Sequence, residues 1–197
     1  MKSSEIAKKA IDISTHKTIY VRKAAGQKMI QTNKLKFTSI DPFNAKRTEK
    51  IFAVSEDTEG FDEFGLIAAV IGQKFKDLGE LMNNCTDISK DFSSIMPGEI
   101  VFGSDTCGIY VGDNELVYAN PVLGVIKVRM DGWASHAKLN DTDFSGPEPV
   151  KEVKDESRIV DREPERSEEK TESEPEETPA RNERRMDVRP DRAGRRH

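Results

Sequence analysis

The sequence predicts an α+β domain followed by a charged tail. Up to about residue 144, apolar runs, glycine and proline punctuation and spaced aromatic residues are typical of a globular domain. Helical apolar patterns come first, and short strand-like apolar segments come second, which is typical of the α+β class. With 197 residues, the chain is long enough for one domain and a tail, but not for two ordinary domains.

Two helices are predicted near the start of the chain. Residues 3–12 place their apolar side chains on one face, and residues 18–32 show a looser helical spacing. Residues 33–60 are predicted to be irregular, because Asp41-Pro42 interrupts any regular element.

The strongest helical pattern covers residues 61–75. Asp57 or Thr58 is the expected N-cap, and the acidic residues near the start suit the positive end of the helix dipole. Apolar residues at neighbouring and one-turn spacings form the expected buried face: Leu66, Ile67, Val70 and Ile71.

Four short strands are predicted in the second half of the domain. Residues 99–102 follow a Pro-Gly turn, and residues 107–111 and 115–119 flank a tight turn at 112–114. Residues 125–130 alternate apolar and basic side chains, so this strand is expected to have one buried and one solvated face.

The chain therefore divides into an N-terminal helical extension (1–17), a main domain (18–144) and a tail (145–197). The tail is acidic to about Thr178 and arginine-rich from Ala180. We expect it to be disordered, because it cannot bury enough apolar area to offset the entropy of ordering. Its arginines could contact nucleic-acid phosphates, but interspersed acidic residues and the lack of aromatic residues do not favour that role.

The two cysteines, Cys85 and Cys107, do not form a disulfide framework. A single disulfide between them stays an alternative. No paired ligand spacing is present, so neither a metal nor a cofactor is predicted. No segment is long and apolar enough to span a bilayer. Residues 1–6 have no apolar signal core, so we expect the chain to be cytoplasmic as synthesised.

Several motifs resemble the NlpC/P60 family of cysteine peptidases, which cut peptidoglycan stem peptides. Residues 61–66 (Phe-Asp-Glu-Phe-Gly-Leu) are similar to the family's Phe-Asp-Cys-Ser-Gly-Leu signature. Residues 97–102 resemble its Pro-Gly-Asp-Leu-Val-Phe strand, and residues 108–112 resemble Gly-Ile-Tyr-Ile-Gly. Residues 117–119 stand where Ile-His-Ala is usual. The resemblance covers roughly residues 18–139 and implies a papain-like core, with helices packed on a small antiparallel sheet.

The resemblance implies that the catalytic positions are substituted. Glu63 stands for the nucleophilic cysteine, Thr106 for the histidine and Tyr118 for the orienting residue. A carboxylate cannot replace a thiolate in attacking an amide. No catalytic residue is therefore predicted. The resemblance places Asp62, Glu63, Thr106, Cys107 and Tyr118 around the former cleft, and a hydrogen bond between Glu63 and Thr106 is expected.

Other catalytic arrangements are less favoured. Cys107 and His136 could form a relocated pair, but Cys107 fits better as a small apolar residue in a strand, and His136 as a polar residue near the domain edge. Asp62 and Glu63 point about 100° apart on a helix, so they do not converge on one substrate atom. His16 is interpreted as a surface residue.

These observations favour an inactive NlpC/P60-like binding or structural module, in a phage particle or near a cell wall. Protein partners are expected, and a peptidoglycan fragment is a further candidate ligand. Two alternatives stay open. One is an active cysteine-type peptidase or amidase with relocated residues, and the other is an interaction protein that acts through its charged tail.

Overall fold

A computed structural model describes residues 1–145 and confirms the α+β class. The charged tail lies outside the described residues from Gly146 onward. The helices are α1 (Ser3–Ser14), α2 (Gln31–Ile40), α3 (Pro42–Ala45), α4 (Thr48–Ala53), α5 (Glu63–Ile71) and α6 (Leu78–Asn83). The strands are β1 (Thr18–Tyr20), β2 (Ala25–Lys28), β3 (Glu59–Phe61), β4 (Cys85–Ser89), β5 (Ile100–Phe102), β6 (Cys107–Gly112), β7 (Glu115–Asn120), β8 (Gly124–Arg129) and β9 (Ser135–Leu139).

The strands form two sheets. The larger sheet has six strands in the order β4-β9-β5-β6-β7-β8, and every neighbouring pair is antiparallel. In the smaller sheet, β3 lies between β1 and β2, parallel to the first and antiparallel to the second. None of the helices in residues 1–145 is long and apolar enough to cross a membrane.

The main core lies between one face of the six-stranded sheet and helices α1 and α5. Ile109 of β6 is paired with Val117 of β7, and both side chains are fully buried. They belong to one apolar cluster with Leu66 and Ile67 of α5 and with Ile6 of α1. The N-terminal helix therefore packs into the same core as the strongest predicted helix.

A smaller core lies around the three-stranded sheet and helices α2 and α4. It consists of six buried apolar side chains: Ile19, Val21, Ala24, Met29, Phe37 and Ile51. Most of its members come from segments whose structure the sequence did not predict correctly.

The helix predicted over residues 18–32 is wrong, because residues 18–28 fold as β1 and β2. Lys23 and Gly26 have positive φ angles of 67° and 86°, which lie outside the α-helical region. Both strands hydrogen-bond to β3. The apolar spacing here was compatible with either structure, and pairing with a strand far along the chain decides between them.

Residues 33–60, predicted to be irregular, contain the rest of α2, all of α3 and α4 and the start of β3. The Asp41 carboxylate accepts the backbone N–H of Phe43 at 2.9 Å and that of Asn44 at 3.4 Å. Pro42 occupies the first turn of α3, where its missing N–H is no loss. The prediction was wrong because this Asp-Pro pair begins a helix instead of interrupting one.

The four predicted strands are present as β5, β6, β7 and β8. The sequence did not predict β4 and β9, which together with β5 form the other half of the sheet. β9 has the sequence Ser-His-Ala-Lys-Leu, which contains one bulky apolar residue. Its pairing with β4 on one side and β5 on the other makes it a strand.

The helix predicted over residues 61–75 is present as α5, in a shorter form. Its N-cap is Asp62 and not Asp57 or Thr58. The Asp62 carboxylate accepts the Gly65 N–H at 2.6 Å, which satisfies one of the backbone donors that a helix start leaves free.

The start of α5 lies directly against the connection between β1 and β2. The Asp62 carboxylate accepts the Lys23 N–H at 2.6 Å, and the Asp62 N–H donates to the Ala24 carbonyl oxygen at 3.1 Å. A Cβ atom built on Gly65 would lie 1.8 Å from that same oxygen. Glycine is therefore required for the backbones to approach this closely.

Gly65→Ala is expected to destabilise the protein by about 3 kcal/mol, because the added methyl group meets main-chain atoms that cannot move aside. Urea unfolding of the full chain measures the change. Gly79→Ala in α6 is the matched control, since its nearest neighbour is a side-chain oxygen of Asp77 at 3.3 Å. The control is expected to be neutral or stabilising by up to about 1 kcal/mol. Equal effects of the two substitutions would contradict the close contact.

Candidate functional site

Glu63 is the first residue of α5, and its side chain is half-buried. The carboxylate accepts a hydrogen bond from the Tyr20 hydroxyl at 2.6 Å. The expected bond to Thr106 is not formed. Burial raises the pKa of the Tyr20 hydroxyl above its ordinary value, and the bond to the Glu63 carboxylate raises it further, whereas the Arg22 guanidinium acts in the opposite direction. Tyr20 therefore remains a donor to Glu63 at neutral pH.

Cys107, at the start of β6, lies directly beside the start of α5. Its side chain is fully buried, and its sulfur is 4.0 Å from the main-chain carbonyl oxygen of Glu63. Burial raises the pKa of the thiol, and the carboxylates of Glu63 and Asp62 add to the effect. The environment thus holds Cys107 as a neutral thiol, which is the opposite of what a nucleophilic cysteine requires.

His136 was predicted to be a polar residue at the domain edge, but its side chain is buried in β9. Its Nδ1 atom bonds to the Glu99 carboxylate, and its Nε2–H donates to the Asp91 carbonyl oxygen at 2.9 Å. The Phe92 ring lies 5.1 Å from the imidazole, centroid to centroid. Both ring nitrogens are therefore engaged, and the Nε2 bond holds the Asp91 segment against the sheet.

The relocated Cys107–His136 pair is not assembled. Cys107 is paired with Phe102 of β5, whereas His136 is paired with Val101, the preceding residue of the same strand. Because adjacent residues of a strand point to opposite faces, the thiol and the imidazole lie on opposite faces of the sheet. His16 is exposed and lies 3.2 Å from the Glu59 carboxylate, as expected for a surface residue.

Thr106 and Tyr118 line an open groove of about 410 Å³. One wall is aromatic, because the rings of Tyr118 and Trp133 meet edge to face at 5.6 Å. Polar groups come from the β8–β9 connection: Arg129 and Asp131. The Tyr118 hydroxyl accepts a hydrogen bond from the Asn120 side chain at 2.7 Å, which fixes its ring at one end of the wall.

The candidate cleft residues thus fall into two places. Asp62, Glu63 and Cys107 meet at the start of α5, within or beside the main core. Thr106 and Tyr118 face the groove, and neither Asp62, Glu63 nor Cys107 lines it. Tyr118 is paired with a residue adjacent to Ile109 of the core, so its side chain points to the other face of the sheet.

No sequence pattern predicted the aromatic and basic residues that surround Tyr20. The Phe43 ring meets the Tyr20 ring edge-on at 5.6 Å. The guanidinium groups of Arg22 and Arg47 lie 4.5 Å and 5.0 Å from the centre of the Phe43 ring. Phe43 and Arg47 come from the segment that was predicted to be irregular, so no pattern placed them near the start of α5.

Within residues 1–145, no group of three or more histidine, cysteine, aspartate or glutamate side chains is placed to hold a metal ion. Both cysteines are free in this structure.

No protein-family model matches the chain, and no curated protein matches it. Among solved structures, NlpC2 from Trichomonas vaginalis is similar, with a TM-score of 0.44 and 15% sequence identity. The similarity covers 70% of this chain and 46% of the Trichomonas chain, so this chain spans less than half of that protein's length. At this TM-score and identity, the similarity supports no statement about the family, the activity or the site residues of this chain.

His136→Leu is expected to destabilise the protein by about 3–5 kcal/mol, because it leaves the buried Glu99 carboxylate without its partner. The double variant Glu99→Leu/His136→Leu is expected to be clearly more stable than His136→Leu, since no buried charge then remains. Urea unfolding of the wild type, both single variants and the double variant gives the coupling energy. Simple additivity of the two losses would contradict a buried, mutually dependent pair.

The Tyr20–Glu63 bond is expected to make stability depend on alkaline pH. A folded-state pKa above the ordinary value of about 10 means that the unfolded chain loses this proton first. Stability is therefore expected to fall as pH rises above about 10, and Tyr20→Phe is expected to reduce that fall. Urea midpoints between about pH 9 and about pH 11 measure the difference. An unchanged pH dependence in Tyr20→Phe would contradict the raised pKa.

Proposed function

We propose that the chain is a non-catalytic, NlpC/P60-like binding or structural module. The observation that carries the proposal is the chemistry at the start of α5, where a family nucleophile would stand. By the sequence resemblance Glu63 stands at that position, and its carboxylate is bonded to the Tyr20 hydroxyl. The adjacent thiol of Cys107 is buried and held neutral.

Thiol-dependent amide cleavage requires a thiolate and an imidazole within hydrogen-bond reach of each other. Of the histidines in residues 1–145, His16 bonds to Glu59 at the surface and His136 bonds to Glu99 on the far face of the sheet. Neither lies with a thiol in the described part of the chain. The geometry therefore favours a domain that keeps a peptidase-like fold and does not catalyse amide cleavage.

The groove beside Thr106 is the proposed ligand site of this module. Its aromatic wall of Tyr118 and Trp133 can stack against apolar or ring surfaces, and Arg129 and Asp131 can orient charged groups of a ligand. A peptidoglycan fragment is the first ligand to test, on the basis of the sequence resemblance. The alternative occupant is a protein partner in a phage particle or a wall-associated assembly, which the chain would join after synthesis in the cytoplasm.

Purified chain is expected to release no muropeptides from peptidoglycan, because in residues 1–145 no thiol lies within reach of a histidine base. Chromatography of the soluble products measures the release, with an active endopeptidase as the positive control. Cleavage that is lost in Cys107→Ala or in Glu63→Gln would overturn the proposal and favour an active enzyme.

Trp133 is the only tryptophan of the chain, so its fluorescence reports directly on the groove. Titration with a muropeptide is expected to change the emission, and Tyr118→Ala is expected to weaken binding by about tenfold, since one aromatic contact is lost. Phe144→Ala, outside the groove lining, is the control and is expected to bind like the wild type. Equal affinity of the Tyr118→Ala variant would exclude the groove as the site.

A further inference from the structure

The connection from α3 into α4 and the segment after β1 carry a cluster of cations that we name the basic surface: Arg22, Lys46, Arg47 and Lys50. Within residues 1–145, none of these four side chains has a carboxylate oxygen within 4 Å. The neighbouring Lys23 differs, because it lies 3.9 Å from the Asp41 carboxylate. Glu49 is the one acidic residue within the segment 45–50.

Two of these cations are held in place by one aromatic ring. The Arg22 and Arg47 guanidinium groups lie over the Phe43 ring, and Arg47 also donates to the Tyr20 carbonyl oxygen at 3.4 Å. A stacked guanidinium keeps N–H groups at its edge for a planar, two-pronged bond to a carboxylate. Arg47 is partly buried, and this loss of solvation lowers its pKa. No carboxylate among the described residues lies close enough to compensate its charge.

The surface is also concave. Residues 45–50 surround a depression of about 510 Å³ that includes the side chains of Lys46, Arg47 and Lys50. A depression of this size accommodates side chains of a partner. Arginine and concave shape are both frequent at protein interfaces.

An apolar tip adjoins the basic surface at the turn between β7 and β8. Val122 and Leu123 are 68% and 65% exposed. Their backbone N–H groups donate to the Asn120 side-chain oxygen at 2.8 Å and 3.0 Å, so the turn has a fixed shape. Lys50 donates to the Val122 carbonyl oxygen at 2.6 Å, which places the tip next to the cations.

We propose that the basic surface and the apolar tip together form a docking site for an acidic protein segment that carries apolar side chains. Carboxylates of the segment meet Arg22, Arg47 and the lysines, and its apolar side chains cover Val122 and Leu123. The exposed Val122 and Leu123 beside the four cations favour a protein segment over a nucleic-acid backbone, which offers no apolar side chains. The docking site is distinct from the groove and does not depend on the proposed function.

Panning a library of short random peptides on the immobilised full chain tests the proposal. The expected result is enrichment of peptides that combine several Asp or Glu residues with apolar residues. Fluorescence anisotropy of a labelled selected peptide then gives its affinity, which is expected to fall with rising salt. Selection of neutral or basic peptides, or no enrichment at all, overturns the proposal.

Two variants locate the binding surface. Each of two double variants is expected to lower the affinity for the selected peptide by about tenfold or more. Lys46→Glu/Lys50→Glu reverses the charge of the basic surface, and Val122→Ser/Leu123→Ser removes the apolar contact. Lys74→Glu/Lys76→Glu makes the same charge change on exposed lysines beyond the far end of α5 and is expected to leave affinity within about twofold. Equal binding by all three variants overturns the proposed surface, provided that thermal unfolding shows each to be folded.

Two further probes separate other polyanions from an acidic protein. Vesicles that contain phosphatidylserine and a short DNA duplex are expected not to bind the full chain at physiological salt. Vesicle binding that is lost in Val122→Ser/Leu123→Ser would make the surface a membrane contact. Duplex binding that is lost in Lys46→Glu/Lys50→Glu would make it a nucleic-acid contact. Either result overturns the docking of a protein segment.

Discussion

The close backbone contact between the start of α5 and the β1–β2 connection determines the local arrangement of this domain. It requires a residue without a side chain at Gly65, because the Ala24 carbonyl oxygen occupies the space of a Cβ atom. Asp62 completes the contact, since its carboxylate accepts one N–H from α5 and one from Lys23. Burial raises the pKa of this carboxyl, while the two N–H bonds act in the opposite direction. The cost of burying the group is thus partly offset by the bonds that fix the helix start.

The chemistry at Glu63 follows from that contact. Because the β1–β2 connection is held against α5, Tyr20 at the end of β1 reaches the Glu63 carboxylate. On the other side of the helix start, Cys107 is packed into the main core, where a neutral thiol is favoured over a thiolate. The field of a helix N-terminus, which can activate a cysteine, here acts on a carboxylate whose partner is a phenol.

The two faces of the six-stranded sheet carry different groups. One face packs on α1 and α5 and carries Cys107. The other face carries the His136–Glu99 pair and, nearer the β8 edge, the groove with Tyr118 and Trp133. The proposed basic surface belongs to neither face, because its residues lie in the segments around β1, α3 and α4 and not in the six-stranded sheet.

The sequence by itself determined the elements whose signal is local. α1, α5 and strands β5 to β8 follow from apolar spacing and turn residues. The motif around Glu63 singled out that residue as a candidate for the former cleft. Tertiary structure alone decided the rest. Residues 18–28 became strands through pairing with β3, and β9 became a strand through its two neighbours. The partners of Glu63 and His136 are 43 and 37 residues away. Such pairings depend on burial and on the face of a strand, and these are set only when distant segments pack together.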